Sequence, residues 1–329
     1  MEEPTPGAGR PDAGPRAQAQ GRLLVLAAAA LWGTTGTAQA LGPDGLDPLA
    51  VGAARMLVGG AALLAVAWAA GALGGARAWR PLPLLAAGVA MAAYQPLFFS
   101  GVRLAGVAAG TVVAIGSAPV LTGLLALALR GERPGAAWLL ATPPAVAGAV
   151  LLAAPGGGGA RPLGVLLAAG AGGAYSCYVL ATKGLLDRHP PVGVTGATFA
   201  LAALLLAPVL ALAHPGSLAD PGGLAVCLYL GLAATACAYL LFSRGLARLP
   251  AAEAATLSLA EPLTAATLGL VVLGEELPAR GWPGLALLGG GLALLALGGL
   301  SPAGRPPARR LGPAPRRPRG RGRPPGRPP

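Results

Sequence analysis

The chain has 329 residues, of which 54% are hydrophobic and only 11% charged, with a formal net charge of +12. A soluble domain carries about 25% charged residues, so this composition excludes an ordinary soluble protein and places the chain in a membrane. Three cysteines (Cys177, Cys227, Cys237) lie inside apolar runs without a CxxC pair, and both histidines (His189, His214) precede prolines. No disulfide framework, metal site, histidine triad or cofactor is therefore expected.

Residues 1–21 form a polar Pro/Gly/Ala tail, expected to be disordered. The first apolar run comes too late and is too long for a cleaved signal peptide. Ten runs of spanning length follow, near 22–41, 48–70, 82–103, 107–129, 135–154, 164–184, 191–213, 223–246, 251–273 and 281–300. Turn-rich segments such as GPDGLDP, RGERPG and HPGSLADPGG separate them. Residues 155–163 read as a Gly-rich linker between two halves, 22–154 and 164–300. Residues 301–329 hold nine arginines amid Pro and Gly, a composition that cannot bury a core. The tail carries no interleaved aromatics, so attraction to anionic lipid is favoured over nucleic-acid binding.

Loop charge orients the spans. With the N-terminus inside, the inner segments hold Arg10, Arg16, Arg22, Arg77, Arg80, Arg130, Arg133, Lys183, Arg188, Arg244, Arg248 and the tail arginines. The outer loops hold only Arg103, Arg161 and Arg280, and Arg55 is intramembrane. The positive-inside rule thus puts both termini in the cytoplasm and the protein in a cell (inner) membrane.

The chain also repeats itself. The shift that carries Pro119 onto Pro262 also carries Trp32 onto Tyr175, Asp44 onto Asp187, Pro48 onto Pro191, Phe99-Ser100 onto Phe242-Ser243 and Gly131-Glu132 onto Gly274-Glu275. Each half then holds five spans, and an odd number forces the halves into opposite orientations. The sequence therefore predicts an all-α polytopic membrane protein of ten transmembrane helices in two inverted five-helix repeats, an architecture common among secondary transporters.

These motifs resemble a known family. Leu31-Trp32-Gly33, Pro48 with Arg55, Ala118-Pro119 and Gly131-Glu132 in the first half resemble the EamA repeat of the drug/metabolite transporter superfamily. Tyr175, Pro191, Phe242, Glu261-Pro262 and Gly274-Glu275 resemble the same repeat in the second half. The resemblance implies a ten-helix transporter, often an exporter of amino acids, metabolites or toxic compounds. The halves have diverged: Thr198 stands where the first half has Arg55, and Ala118 where the second has Glu261.

The ninth span carries the sharpest anomaly. A helix starting at Ala251 puts Glu261 about 16 Å along its axis, near the centre of a hydrocarbon core about 30 Å thick. An ionisable group at that depth is costly and marks a functional hypothesis. Glu261 reads either as a proton- or cation-sensitive group on a transport path or as a carboxyl held by nearby hydroxyls or by Arg55. Arg55 reads as a group that binds a substrate carboxylate, pairs with Glu261, snorkels to the interface or caps a carbonyl within the bundle. Ser258 and Thr264 share the face of Glu261 on a continuous helix. Polar and aromatic groups in other spans complete the candidate pathway: Trp32, Thr35, Tyr94, Gln95, Tyr175 and Tyr178, with Glu253, Gln39 and Tyr239 as weaker members. Pro119 and Pro262 are expected helix breaks.

The leading expectation is a secondary-active exporter of small metabolites, amino acids or drugs working by alternating access, with protons as a candidate coupling ion. The competing reading is a non-transporting membrane scaffold whose basic tail recruits a partner. No HExxH, Gly-x-Ser-x-Gly or paired intramembrane aspartates support an enzyme. The sequence leaves the oligomeric state open.

Overall fold

The computed structural model describes residues 14–74, 79–153, 161–213, 218 and 220–298. The Arg-rich tail, the start of the N-terminal tail, most of the linker and Arg77 lie outside the described residues.

The described chain is helical throughout: α1 Pro15–Ala40, α2 Pro48–Ala69, α3 Pro81–Ala105, α4 Val107–Arg130, α5 Ala136–Ala153, α6 Pro162–Leu186, α7 Pro191–Leu212, α8 Pro221–Gly231, α9 Ala238–Leu246, α10 Ala251–Leu257, α11 Ala260–Val272 and α12 Gly281–Gly298. A π-helical turn, Leu232–Cys237, joins α8 to α9, and a short break joins α10 to α11. Among the described residues, nine stretches are long and apolar enough to span a bilayer, and Ala136–Leu152 is a shorter tenth. The ten-helix plan read from the sequence therefore stands.

Local chemistry explains many helix starts. Pro15, Pro48, Pro81, Pro162, Pro191 and Pro221 each open a helix, where the missing N–H would be unpaired in any case. The Asp47 and Asp220 side chains accept from Leu49 N (2.9 Å) and Gly222 N (3.0 Å), capping α2 and α8. At the other end of α4, Gly131 adopts φ 65°, a left-handed cap that a side chain would disfavour. One expectation moves: residues 15–21, assigned to the tail, are the first turns of α1, because Pro15 starts a helix that Ala and Gln sustain.

Packing shows the inverted repeat. The main contacts cross between halves: α2 with α7, α3 with α6, α5 with α12, and α1 with α9 and α11. The α5–α12 contact is reciprocal. Gly148 lies against Gly284 and Leu288, and Gly291, which is Gly148 shifted onto the second half, lies against Ala141 and Ala145, the same two positions shifted back. Such self-complementary contact is what a two-fold relation between the halves produces. Small residues let the backbones meet closely, as in membrane bundles generally. Large apolar side chains such as Trp68, Leu82, Leu212 and Val271 remain exposed on the outside, the face that lipid covers.

Candidate transport site

The site is organised by the break in the ninth span. Pro262 has no N–H, so the Ser258 carbonyl four residues earlier loses its usual helical donor. The Glu261 N–H takes that carbonyl instead, at 3.0 Å, one residue early. The tightened turn ends α10 at Leu257 and restarts the helix at Ala260. Pro119 behaves differently from expectation. No break forms there, and α4 runs unbroken through it, because a single missing N–H can be absorbed within a transmembrane helix. The two prolines are equivalent in sequence and not in structure.

Two cavities adjoin this break. The larger spans about 830 Å³ of empty space, part of it open to the outside, and is lined by Trp32, Thr35, Gln39, Val51, Gly52, Arg55, Tyr94, Gln95, Phe98, Phe99, Ile115, Leu230, Tyr175, Tyr239 and Glu261. The smaller spans about 360 Å³, also partly open, and is lined by Tyr94, Ala114, Ile115, Ala118, Tyr175, Ala255, Ser258, Leu259 and Glu261. Tyr94, Ile115, Tyr175 and Glu261 belong to both and form the partition between them. The Tyr94 and Tyr175 rings lie 6.2 Å apart, and the Tyr175 hydroxyl meets the Ser258 hydroxyl at 3.0 Å.

Most of the sequence candidates meet here. Trp32, Thr35, Gln39, Arg55, Tyr94, Gln95, Tyr175, Tyr239 and Glu261 share the larger cavity, and Ser258 joins Glu261 in the smaller one despite the break between them. Arg55 and Glu261 stand within electrostatic reach of each other, yet no ion pair joins them among the described residues. The cavity thus presents one guanidinium and one carboxyl group to any occupant. Trp32 is buried, and its Nε1–H has no partner among the described residues.

Three candidates lie elsewhere. Tyr178 is only 1% exposed and does not line either cavity; it packs edge-on against Phe199 and Tyr239 and supports the aromatic wall. Thr264 spends its hydroxyl on the Ala260 carbonyl (2.8 Å) and lies against Gly33 of α1. Glu253 lines neither cavity; its carboxylate accepts from Arg22 Nε at 2.6 Å, with both side chains largely buried. Sequence reading missed Phe98, Phe99 and Ile115. Phe98 follows Tyr94 by four residues and stacks on it at 5.7 Å, a helical spacing that was available in the sequence.

The π-helical turn also shapes the site. It widens the eighth span just before Tyr239, which enters the cavity wall 4.7 Å from Trp32 and 4.4 Å from Phe199. Such turns recur beside functional sites, and nothing in the composition of Leu232–Cys237 signals one.

One end of the bundle is closed, the end where α1, α5 and α10 begin and α4, α6 and α9 finish. There Lys183 donates to the Leu246 and Leu249 carbonyls, both at 2.7 Å. Trp138 Nε1 donates to the Ala252 carbonyl at 2.9 Å, and the Ala251 N–H donates to Glu132 at 3.2 Å. Arg130 bridges Glu132 (2.6 Å) and Asp187 (3.1 Å). Leu246, Leu249, Ala251, Ala254 and Leu257 are all buried. The larger cavity lies toward the opposite end, at the start of α2 and the finish of α3.

A ten-helix bundle of inverted repeats with a charged, aromatic-lined cavity in its interior defines a membrane transporter. The chain belongs to the EamA-like transporter family, whose profile matches twice, over residues 19–154 and 162–297, and the two matches are displaced by the same shift that carries Pro119 onto Pro262. It is 46% identical over 276 residues to YwfM, an uncharacterized transporter of Bacillus subtilis, covering 83% of this chain and 93% of that one. It is 32% identical over 268 residues to the "Probable terminal-alkyne amino-acid exporter" of Streptantibioticus cattleyicolor, covering 80% of this chain and 87% of that one. A solved crystal structure superposes with a TM-score of 0.73 at 26% identity, over 85% of this chain and 97% of that one.

Proposed function

We propose that the protein is a secondary-active exporter of small amphoteric molecules, amino acids or related metabolites and drugs, working by alternating access in the inner membrane with both termini in the cytoplasm. The observation that carries this reading is the pair Arg55 and Glu261, a guanidinium and a carboxyl group that face one interior cavity with no ion pair between them among the described residues. Arg55 offers donors to a carboxylate, Glu261 an acceptor to an ammonium, and the aromatic wall a bed for an apolar side chain. The similarity to an amino-acid exporter supports the same chemistry.

Glu261 is the coupling group in this reading. A carboxyl that alternates between a proton and the substrate ammonium links outward flux of one to inward flux of the other. In proteoliposomes loaded with radiolabelled amino acids, the wild type should show efflux that responds to a pH gradient. Glu261→Gln should insert normally and lose that response. An unchanged pH response in the Gln variant would discard the coupling role, and no amino-acid flux in the wild type would discard the substrate class. The basic tail then serves the lipid surface, where each Lys or Arg near anionic headgroups contributes about 1 kcal/mol.

A further inference from the structure

The smaller cavity is floored by α10 and the break after it: Ala255 of α10, with Ser258 and Leu259 of the break, lines it from the closed end. Because the break at Ser258–Leu259 separates α10 from α11, this seven-residue helix is fastened mainly by contacts at its own level. Those contacts come from other helices. Arg22 of α1 holds Glu253, Trp138 of α5 holds the Ala252 carbonyl, and Thr142 of α5 meets Thr256 at 3.0 Å. Glu132 after α4 accepts the Ala251 N–H, and Lys183 of α6 grips the turn that precedes α10.

We propose that α10 is the gate at the closed end of the bundle and that the Arg22–Glu253 ion pair is its latch, which opens to admit a ligand from that face to the smaller cavity. The inference rests on the transporter reading and names a device that reading does not require.

The repeat shows the latch to be one-sided. Shifting each member onto the other half replaces Arg22 by Val165, Glu253 by Gly110 and Lys183 by Ala40. The equivalent of the α10–α11 break is the unbroken α4. The opposite end therefore lacks the equivalents of this pair, while this end is held by a largely buried pair at 2.6 Å. Removing one partner of a largely buried pair strands the other charge, so a single substitution acts strongly.

The test reads accessibility alone. Cys177, Cys227 and Cys237 are replaced by serine or alanine, and Ala118→Cys places one thiol on the smaller cavity. A membrane-impermeant maleimide is added separately to each face in right-side-out and inverted vesicles. With the latch intact, labelling from the face that carries Arg22 should be slow. Glu253→Gln and Arg22→Ala should each speed it at least tenfold. The charge swap Arg22→Glu with Glu253→Arg should return it toward the slow rate, which a merely unfolded single variant would not allow. Equal rates in parent and Glu253→Gln, or a swap that stays fast, would overturn the latch. Failure of amino-acid flux would overturn the transport reading instead, since flux takes no part in this measurement.

Discussion

Gly33 offers a quantitative check on how α1 meets the broken span. A Cβ at Gly33 would stand 2.6 Å from Thr264 Cβ, 2.7 Å from the Glu261 carbonyl oxygen and 3.0 Å from Thr264 Cγ2. Carbon atoms pack best at about 3.5–4.0 Å, so Gly33→Ala forces α1 and α11 apart by roughly 1 Å. Overpacking of this kind typically costs about 1–3 kcal/mol. Gly36 lies three residues further along the same helix and has nothing within 4 Å of its would-be Cβ. Both substitutions gain the same helix preference of alanine over glycine, about 0.5–1 kcal/mol, so that contribution cancels in the comparison. Gly33→Ala should therefore be about 1–3 kcal/mol less stable than Gly36→Ala in reversible unfolding by SDS titration in mixed micelles. It should also transport more slowly, because the displaced backbone is that of Glu261. Stabilities of the two variants within about 0.5 kcal/mol of each other would refute the close approach, since that is the scatter expected of surface substitutions.

Two further outcomes test the same frame. Pro262→Ala restores an N–H for the Ser258 carbonyl and should fuse α10 to α11. Helix propensity allows a stability gain of up to about 3 kcal/mol, accompanied by slower turnover in proteoliposomes; faster turnover would deny the break a role in the cycle. Deleting residues 301–329 should leave flux intact and weaken binding to anionic vesicles, whereas loss of flux would show that the tail acts in transport itself and not only at the lipid surface.

The plan of the molecule was legible in the sequence because it depends on run length and on a constant shift. Both survive a composition rich in Ala and Gly: Pro119 matches Pro262 and Gly148 matches Gly291 whatever lies between. The core of the site was legible for a similar reason, since Glu261 and Arg55 are costly at their depth. What could not be read depends on contacts between distant helices. Arg22 and Glu253 are 231 residues apart, and nothing in either local sequence names the other. The fate of a proline belongs to the same class: Pro119 and Pro262 share a motif, but only the second sits where the Tyr175 hydroxyl reaches across to Ser258 at the turn. The π-helical turn at Leu232–Cys237 has no compositional mark, because it is one extra residue in a helix of ordinary apolar side chains.

The grip on the turn before α10 also makes the molecule convenient to observe. Lys183 is the only lysine in the sequence, and its ammonium sits between two backbone carbonyls at the closed end. Reductive methylation with ¹³C-formaldehyde would label that amine together with a free chain terminus and little else. The methyl resonance of Lys183 would then report the chemical environment of the closed end directly, from a single labelled side chain and without substituting any residue.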